Sequence, residues 1–203
     1  MPRLNKLIQG SPDWHEYRSN HIMATDAATI LGINPWKTAQ ILWEEKLGFS
    51  PPTPLNDAMK RGQELEPVAR QLYIDDSGVH FEPCVYQCDE YPWMAASLDG
   101  IDDYDSIILE IKCPGADTHN FAINGDIKPY YHCQMQHQMM VTRTKLAIYV
   151  SLRPECLQNP FVILEVQADE GYQKILYEAE EHFWTQLNTF QKPQHWIFNN
   201  EDK

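Results

Sequence analysis

The sequence predicts a mixed α/β fold in which about five strands form one central sheet packed by helices, and three features of the 203-residue chain predict it. Short apolar runs bounded by turn residues read as strands at 79–88, 93–98, 107–112, 146–152 and 161–166. Around them lie segments of helical period that open on Ser, Thr, Asn or Asp and close on Gly or Lys-Pro. Hydrophobic residues make up 43% of the chain and aromatics 11%, so one sizeable core and a single domain over residues 1–203 are expected.

In chain order, Ser11-Pro12-Asp13 is a helix start, with Ser as the cap and Pro at the first helical position. Trp14 and Arg18 then share a face one turn apart. Thr25-Asp26 reads as a second cap, for a short helix from Ala27 to Leu31 that Gly32 ends; its first N–H groups, the Thr25 hydroxyl and the Arg18 guanidinium are anion donors. Asn34-Pro35-Trp36 is a turn. Thr38 caps a helix to about Leu47 that packs through Ile41, Leu42, Trp43 and Leu47. Residues 50–54, Ser-Pro-Pro-Thr-Pro, form a stiff surface connector.

A longer helix runs from Asn56 to a stop at Gly78, with Pro67 expected to kink or restart it. Gly62 and Glu66 lie one turn apart, so the missing side chain leaves room beside the carboxylate; Glu64 is its competitor. Ser97 precedes Asp99 by two residues and shares its strand face. Leu98-Asp99-Gly100 reads as a tight turn, followed by a polar loop and the apolar run Ile107-Ile108-Leu109 that carries Glu110 and Lys112. If the two strands pair antiparallel, two carboxylates and an amine meet at one point. Hard divalent cations take such carboxylates, and a neighbouring lysine can orient or help deprotonate a metal-bound water for attack on a phosphodiester. An isolated Glu-x-Lys reads more simply as the solvent face of an edge strand.

Beyond Pro114 a loop gives way to a helix from Pro129, with Tyr131, Gln134 and Gln138 on adjacent turns of one face and Met135, Met139 and Met140 towards the core. Asp169 caps the last helix, whose apolar stripe is Tyr172, Leu176, Ala179, Phe183, Leu187 and Phe190. The tail, with Trp196 and Phe198, is apolar enough to dock on the body or on a neighbouring subunit.

The five cysteines show no C-x-x-C pair and read as buried thiols. No apolar run approaches a membrane span and the N-terminus lacks a signal peptide's apolar core, which with reduced thiols implies a cytoplasmic protein. The formal net charge of −13 argues against broad nucleic-acid attraction. It leaves open a locally basic, enclosed channel beside a metal site whose carboxylates bound ions neutralise.

The order Asp99, ten residues, Glu110-x-Lys112 resembles the PD-(D/E)xK nuclease superfamily. SLDG followed by LEIKCP narrows this to a likeness to the phage lambda exonuclease and viral-recombinase (YqaJ-like) family of alkaline exonucleases. WHEYR and IMATD are similar to that family's opening segment, Gly62 to Glu66 to its G-x3-E element, and Tyr131 to Gln136 to its Y-x2-Q-x-Q segment. The likeness covers about residues 14–166, leaving the C-terminal helix and tail at 169–203 outside it.

The resemblance implies a three-layer restriction-endonuclease-like fold with a mixed central sheet flanked by helices. It implies Asp99, Glu110, Lys112 and Glu66 as catalytic residues, with Asp99, Glu110 and the Ile111 backbone carbonyl on the metal. It further implies Arg18, Thr25, Ser97, His119 and Gln134 at a 5′-phosphate or DNA site, His119 standing where family members carry an arginine; Lys128 or Arg143 could supply the missing cation. The implied cofactor is Mg²⁺, as two ions, with Mn²⁺ as a substitute. The implied reaction is 5′-to-3′ degradation of duplex DNA from 5′-phosphorylated ends by a homotrimeric ring, leaving 3′ single strands for a single-strand annealing protein in recombination. An endonuclease acting on internal sites and a catalytically silent DNA-end-binding module are the alternatives.

Overall fold

Six strands form one mixed sheet in the computed structural model, which describes Leu4, Leu7 and residues 10–193. The chain runs α1 (Pro12–Ser19), β1 (Ile22–Met23), α2 (Ala24–Ile30), α3 (Ala39–Lys46), α4 (Asp57–Ser77), β2 (Phe81–Gln87), β3 (Met94–Asp102), β4 (Ile107–Lys112), α5 (Ala116–Ile123), α6 (Pro129–Thr142), β5 (Leu146–Leu152), β6 (Phe161–Gln167) and α7 (Glu170–Asn188). The expected five strands are all present. The sixth, β1, is a two-residue strand parallel to the start of β3, too short to leave a periodic signal. Trp196 and Phe198 lie outside the described residues.

Local chemistry explains the helix boundaries. Ser11 Oγ accepts from Trp14 N–H at 3.2 Å, Thr38 Oγ1 from Ile41 N–H at 3.3 Å, Asn56 Oδ1 from Met59 N–H at 2.9 Å and Asp169 Oδ1 from Tyr172 N–H at 3.0 Å. Helix α2 starts earlier than expected, with Met23 at the cap, so Thr25 and Asp26 lie within its first turn; the Asp26 carboxylate accepts from Met23 N–H at 3.0 Å. Helix α4 continues through Pro67 as a single element. Ile41 and Phe190, expected to pack, are exposed; Phe190 lies past the end of α7, where the chain has turned away at φ 55°.

The layers follow from which strand face each residue takes. Leu109, Ile111, Ile148 and Val150 point to α4 and pack around Ala69. Ile108, Ala147 and Tyr149 point the other way, towards Met135 and Met139 of α6. Helix α6 is covered in turn by α2 and α7, with α3 packed on α2, and Ile30, Leu31, Leu42, Leu176 and Phe183 close a second core there. Strand β4 pairs antiparallel with β3 and parallel with β5, and β6 returns antiparallel, so the sheet is mixed. The result is the expected three-layer α/β architecture. Among the described residues no helix is long and apolar enough to cross a membrane.

One edge of β3 positions the site. Strand β2 follows its other edge along most of its length, whereas this edge holds β1 at Met94–Ala95 and β4 only at Gly100–Ile101. Between these two short ladders lies a gap spanning residues 96–99.

Candidate active site

Asp99 sits at the end of that gap, and a bulge puts it there. The β2–β3 register runs Cys84 with Leu98, then Glu82 with Ile101, so Pro83 alone faces both Asp99 and Gly100. Pro83 has no N–H to give the ladder, and Asp99's own carbonyl is turned instead to Arg70 Nε, which donates at 2.5 Å. The Asp-Gly pair is therefore a bulge inside a continuous strand and not the tight turn expected. Gly100 is required by close approach: a Cβ there would lie 3.1 Å from Phe81 Cβ and 3.2 Å from Leu109 Cβ. The turn comes later, where Asp105 takes φ 55° and the buried Asp102 carboxylate accepts from Ser106 N–H at 2.6 Å and Ile107 N–H at 2.8 Å.

Continuing the β3–β4 register past Gly100 and Leu109 would set Asp99 opposite Glu110. The ladder stops instead, and Asp99 Oδ2 accepts the Ile111 N–H at 2.8 Å. In extended backbone the N–H and C=O of one residue face the same edge, so the Ile111 carbonyl also faces Asp99. Glu110 is fully buried beneath α6. Its Oε1 accepts from Gln134 Nε2 and its Oε2 from Gln138 Nε2, each at 2.6 Å. Lys112 Nζ pairs with Glu110 Oε1 and stands 5.0 Å from the centre of the Tyr131 ring. Glu66 enters from α4, half-buried and paired with Arg70. Glu64, its competitor, is exposed.

The electrostatics are those of negative charge gathered in one place. Burial first, then Glu110 and Glu66, push Asp99 well above the usual carboxylate range. Burial likewise raises Glu66 despite Arg70. Burial works against the Lys112 ammonium, yet Glu110 and Asp99 hold its pKa above the ordinary lysine value. Asp99, Glu110 and the Ile111 carbonyl are the hard oxygen donors that Mg²⁺ takes, and a cation there would relieve the repulsion that lifts Asp99. The residues present thus fit such an ion. Among the described residues no three His, Cys, Asp or Glu side chains group to hold a metal by themselves. Completion by backbone, water and substrate oxygens is the usual habit of Mg²⁺.

Arg18 and Thr25 meet as their spacing suggested, Arg18 Nη2 donating to Thr25 Oγ1 at 2.8 Å. The Trp14 ring lies under the guanidinium, 4.5 Å from Cζ, so it braces the arginine and is only half-buried. Lys46, which nothing in the sequence marked, holds this segment from below. Its Nζ lies 2.7 Å from Asp26 Oδ2 and donates to the carbonyls of Arg18 at 2.7 Å and His21 at 2.5 Å. Because β1 lies between Arg18 and Thr25, these two residues flank the gap in β3 from the end opposite β4. Ser97 is half-buried, two residues before Asp99 on the same strand face.

One expected DNA contact is corrected, and a second residue has a further role. His119 is fully buried, with Nδ1 2.8 Å from Ser151 Oγ and Nε2 2.6 Å from the Asn159 carbonyl, so neither nitrogen is left for a phosphate. Gln134 commits its amide N–H to Glu110 and orients that carboxylate, as does Gln138. Of the alternative cations, Lys128 lies over the Phe121 ring and Arg143 faces Glu90. Arg70 was missed, although its position four residues after Glu66 on a helix is the spacing of an ion pair. A broad groove elsewhere, between the α5–α6 connection and the β6–α7 junction, is lined by Asp126, Glu165, Asp169 and Glu170 and holds none of these residues.

Known proteins resemble most of this chain. Residues 13–145 match the YqaJ-like viral recombinase domain. The chain is 27% identical over 180 residues to the protein YqaJ of Bacillus subtilis, covering 85% of this chain and 54% of that one, so it spans about half the length of that relative. The crystal structure of an alkaline exonuclease, LHK-Exo, from Laribacter hongkongensis superimposes with a TM-score of 0.79 at 25% identity, covering 89% of this chain and 94% of that one. A phage-related exonuclease from Haemophilus somnus shares the fold at 17% identity, with a TM-score of 0.61 and coverage of 84% and 96%. With the matched region running from α1 to the end of α6 and enclosing the whole carboxylate site, the chain belongs to the YqaJ-like viral recombinase domain family.

Proposed function

We propose that this chain is a Mg²⁺-dependent exonuclease that degrades one strand of duplex DNA from a 5′-phosphorylated end, 5′ to 3′, and leaves a 3′ single strand for a single-strand annealing protein in recombination. The observation that carries the reading is the convergence of Asp99, Glu110 and Lys112 beside the gap in β3, with Gln134, Gln138 and the Ile111 N–H locking the two carboxylates. The likeness to LHK-Exo, a protein also crystallised with dAMP, supports a nuclease.

Bound at Asp99, Glu110 and the Ile111 carbonyl, Mg²⁺ would polarise the scissile phosphate and lower the pKa of a bound water. Two ions are the expected complement, and Mn²⁺ is the expected substitute. The chain's own residues do the positioning. Lys112, kept as an ammonium between two carboxylates, orients the attacking water and offsets charge on the phosphate. Arg70 fixes Glu66 and the Asp99 backbone together, which holds the α4 carboxylate at the rim. Gly62 faces open space, giving a substrate room to approach Glu66 from outside. Arg18 and Thr25 receive the terminal phosphate, and Ser97 an inner one.

A net charge of −13 gives little general attraction to DNA, so sustained degradation needs enclosure; a homotrimeric ring around the duplex supplies it. The test is digestion of linear and covalently closed circular duplex with Mg²⁺. The reading requires that the circle survive, that linear DNA be consumed from its 5′ strands, and that 5′-phosphorylated ends be preferred. Cutting of the circle would establish an endonuclease, and survival of both an end-binding module. Arg18→Glu should slow initiation far more than ongoing degradation, and a monomer by light scattering that is still processive would exclude the ring.

A further inference from the structure

An aromatic path leads from the surface to the proposed catalytic lysine. Trp36 is 71% exposed. Its ring meets Tyr130 edge-on at 5.0 Å, Tyr130 meets Tyr131 at 4.5 Å, and Lys112 Nζ lies 5.0 Å from the Tyr131 ring centre. A single exposed aromatic needs no explanation, but this one is also held in place. The Trp36 backbone N–H donates to Asn34 Oδ1 at 2.9 Å, and Asn34 Nδ2 donates to the buried Thr29 hydroxyl at 2.7 Å. The Asn34 backbone N–H is bound to the Ala28 carbonyl at 3.0 Å. The turn is therefore anchored to the buried side of α2, while an edge-on neighbour covers at most one face of the indole.

We infer that Trp36, backed by Tyr130, is a stacking platform for an unpaired nucleobase at the DNA end, next to the strand whose phosphate reaches Lys112. The inference rests on the nuclease reading above and names a base-binding position within it. Two features point to a base as the occupant. The rings connect directly to the residue expected at the scissile phosphate, and flat aromatic faces take any base without sequence preference. Stacking is also a contact that a chain of net charge −13 can make without phosphate attraction.

The test measures binding of a 5′-phosphorylated duplex with Ca²⁺ replacing Mg²⁺, comparing ends with three unpaired 5′ nucleotides against fully paired ends. Trp36→Ala should weaken binding to the unpaired end by roughly 5- to 150-fold, the range found for removing one base–aromatic stack. Trp36→Tyr should restore most of it, and the fully paired end should respond less. In turnover, KM should rise with kcat nearly unchanged. Equal affinity of Trp36→Ala and wild type, or a Trp36→Tyr as weak as Trp36→Ala, would overturn the platform while leaving the nuclease reading intact. A fall in particle mass for Trp36→Ala with unchanged affinity would assign the indole to contact with a second copy, and also overturn it. Failure of the wild type to bind either end would remove both readings.

Discussion

The two glutamines that clamp Glu110 should differ in what they contribute, and the difference can be worked from the structure. Glu110 is fully buried and accepts one amide N–H on each oxygen, at 2.6 Å from Gln134 and 2.6 Å from Gln138. A carboxylate only accepts, so each amide must turn its nitrogen inward and its oxygen away. The Gln138 Oε1 is thereby buried with no hydrogen-bond partner among the described residues. Losing a hydrogen bond to a charged group costs about 1.5–3 kcal/mol, and an orphaned buried acceptor costs about 1–3 kcal/mol. Gln134→Leu should therefore destabilise by about 2 kcal/mol. Gln138→Leu removes the orphan together with the bond and should stay within about 1 kcal/mol of wild type. Urea denaturation in EDTA reads this directly, since about 2 kcal/mol moves the midpoint by about 0.7 M at an m of about 3 kcal/mol/M. Both variants should lose turnover, because each leaves Glu110 freer to rotate. A Gln138→Leu as destabilised as Gln134→Leu would refute the reasoning, by showing that the Gln138 carbonyl is satisfied in the folded protein.

Three further outcomes follow from named contacts. Lys112→Ala should reduce kcat by about 10²–10⁴-fold with DNA affinity retained, measured by single-turnover cleavage and anisotropy; undiminished cleavage would remove Lys112 from the chemistry. Lys46→Met leaves Asp26 in a site where the pair's side chains are only 7% and 12% exposed. It should cost about 3–5 kcal/mol in chemical denaturation, with the Lys46→Met/Asp26→Asn double variant recovering part of the loss, whereas a neutral single variant would contradict the pairing. The fully buried His137 and Glu180, 2.7 Å apart, give a pH dependence. Burial raises Glu180; His137, which burial alone would lower, is raised by the Glu180 carboxylate and the Ala95 carbonyl. Both shifts mean that the folded state holds its proton more firmly than the unfolded chain. The histidine's share is fully present below its unfolded value of about 6.5 and is lost as pH rises through His137's raised value, whereas Glu180's share is already being lost above the unfolded glutamate value of about 4.3. Wild type should thus lose stability relative to Glu180→Gln as pH rises above about 6.5, and parallel pH profiles would exclude the shared proton.

Caps, apolar periods and turn residues act over a few neighbours, so they are legible in the amino-acid sequence alone: Ser11, Thr38, Asn56 and Asp169 start helices, Gly78 ends one, and the five longer strands lie at the expected places. The alternation of Ile108 to Lys112 likewise put Glu110 and Lys112 on one face, because that follows from strand geometry alone. What the sequence could not determine was how distant segments meet. The bulge at Asp99–Gly100 depends on Pro83 in a neighbouring strand, and β1 exists only because β3 is there to pair with it. His119 has the residue type of a phosphate ligand, but Ser151 and Asn159 close on both its nitrogens. Gln134 and Gln138 have that of substrate contacts, but Glu110 lies beneath their helix, and Lys46 carried no sign of its hold on Asp26. A side chain's residue type limits the bonds it can make, but its role is set by which partners burial brings within about 3 Å, and those partners come from the whole chain.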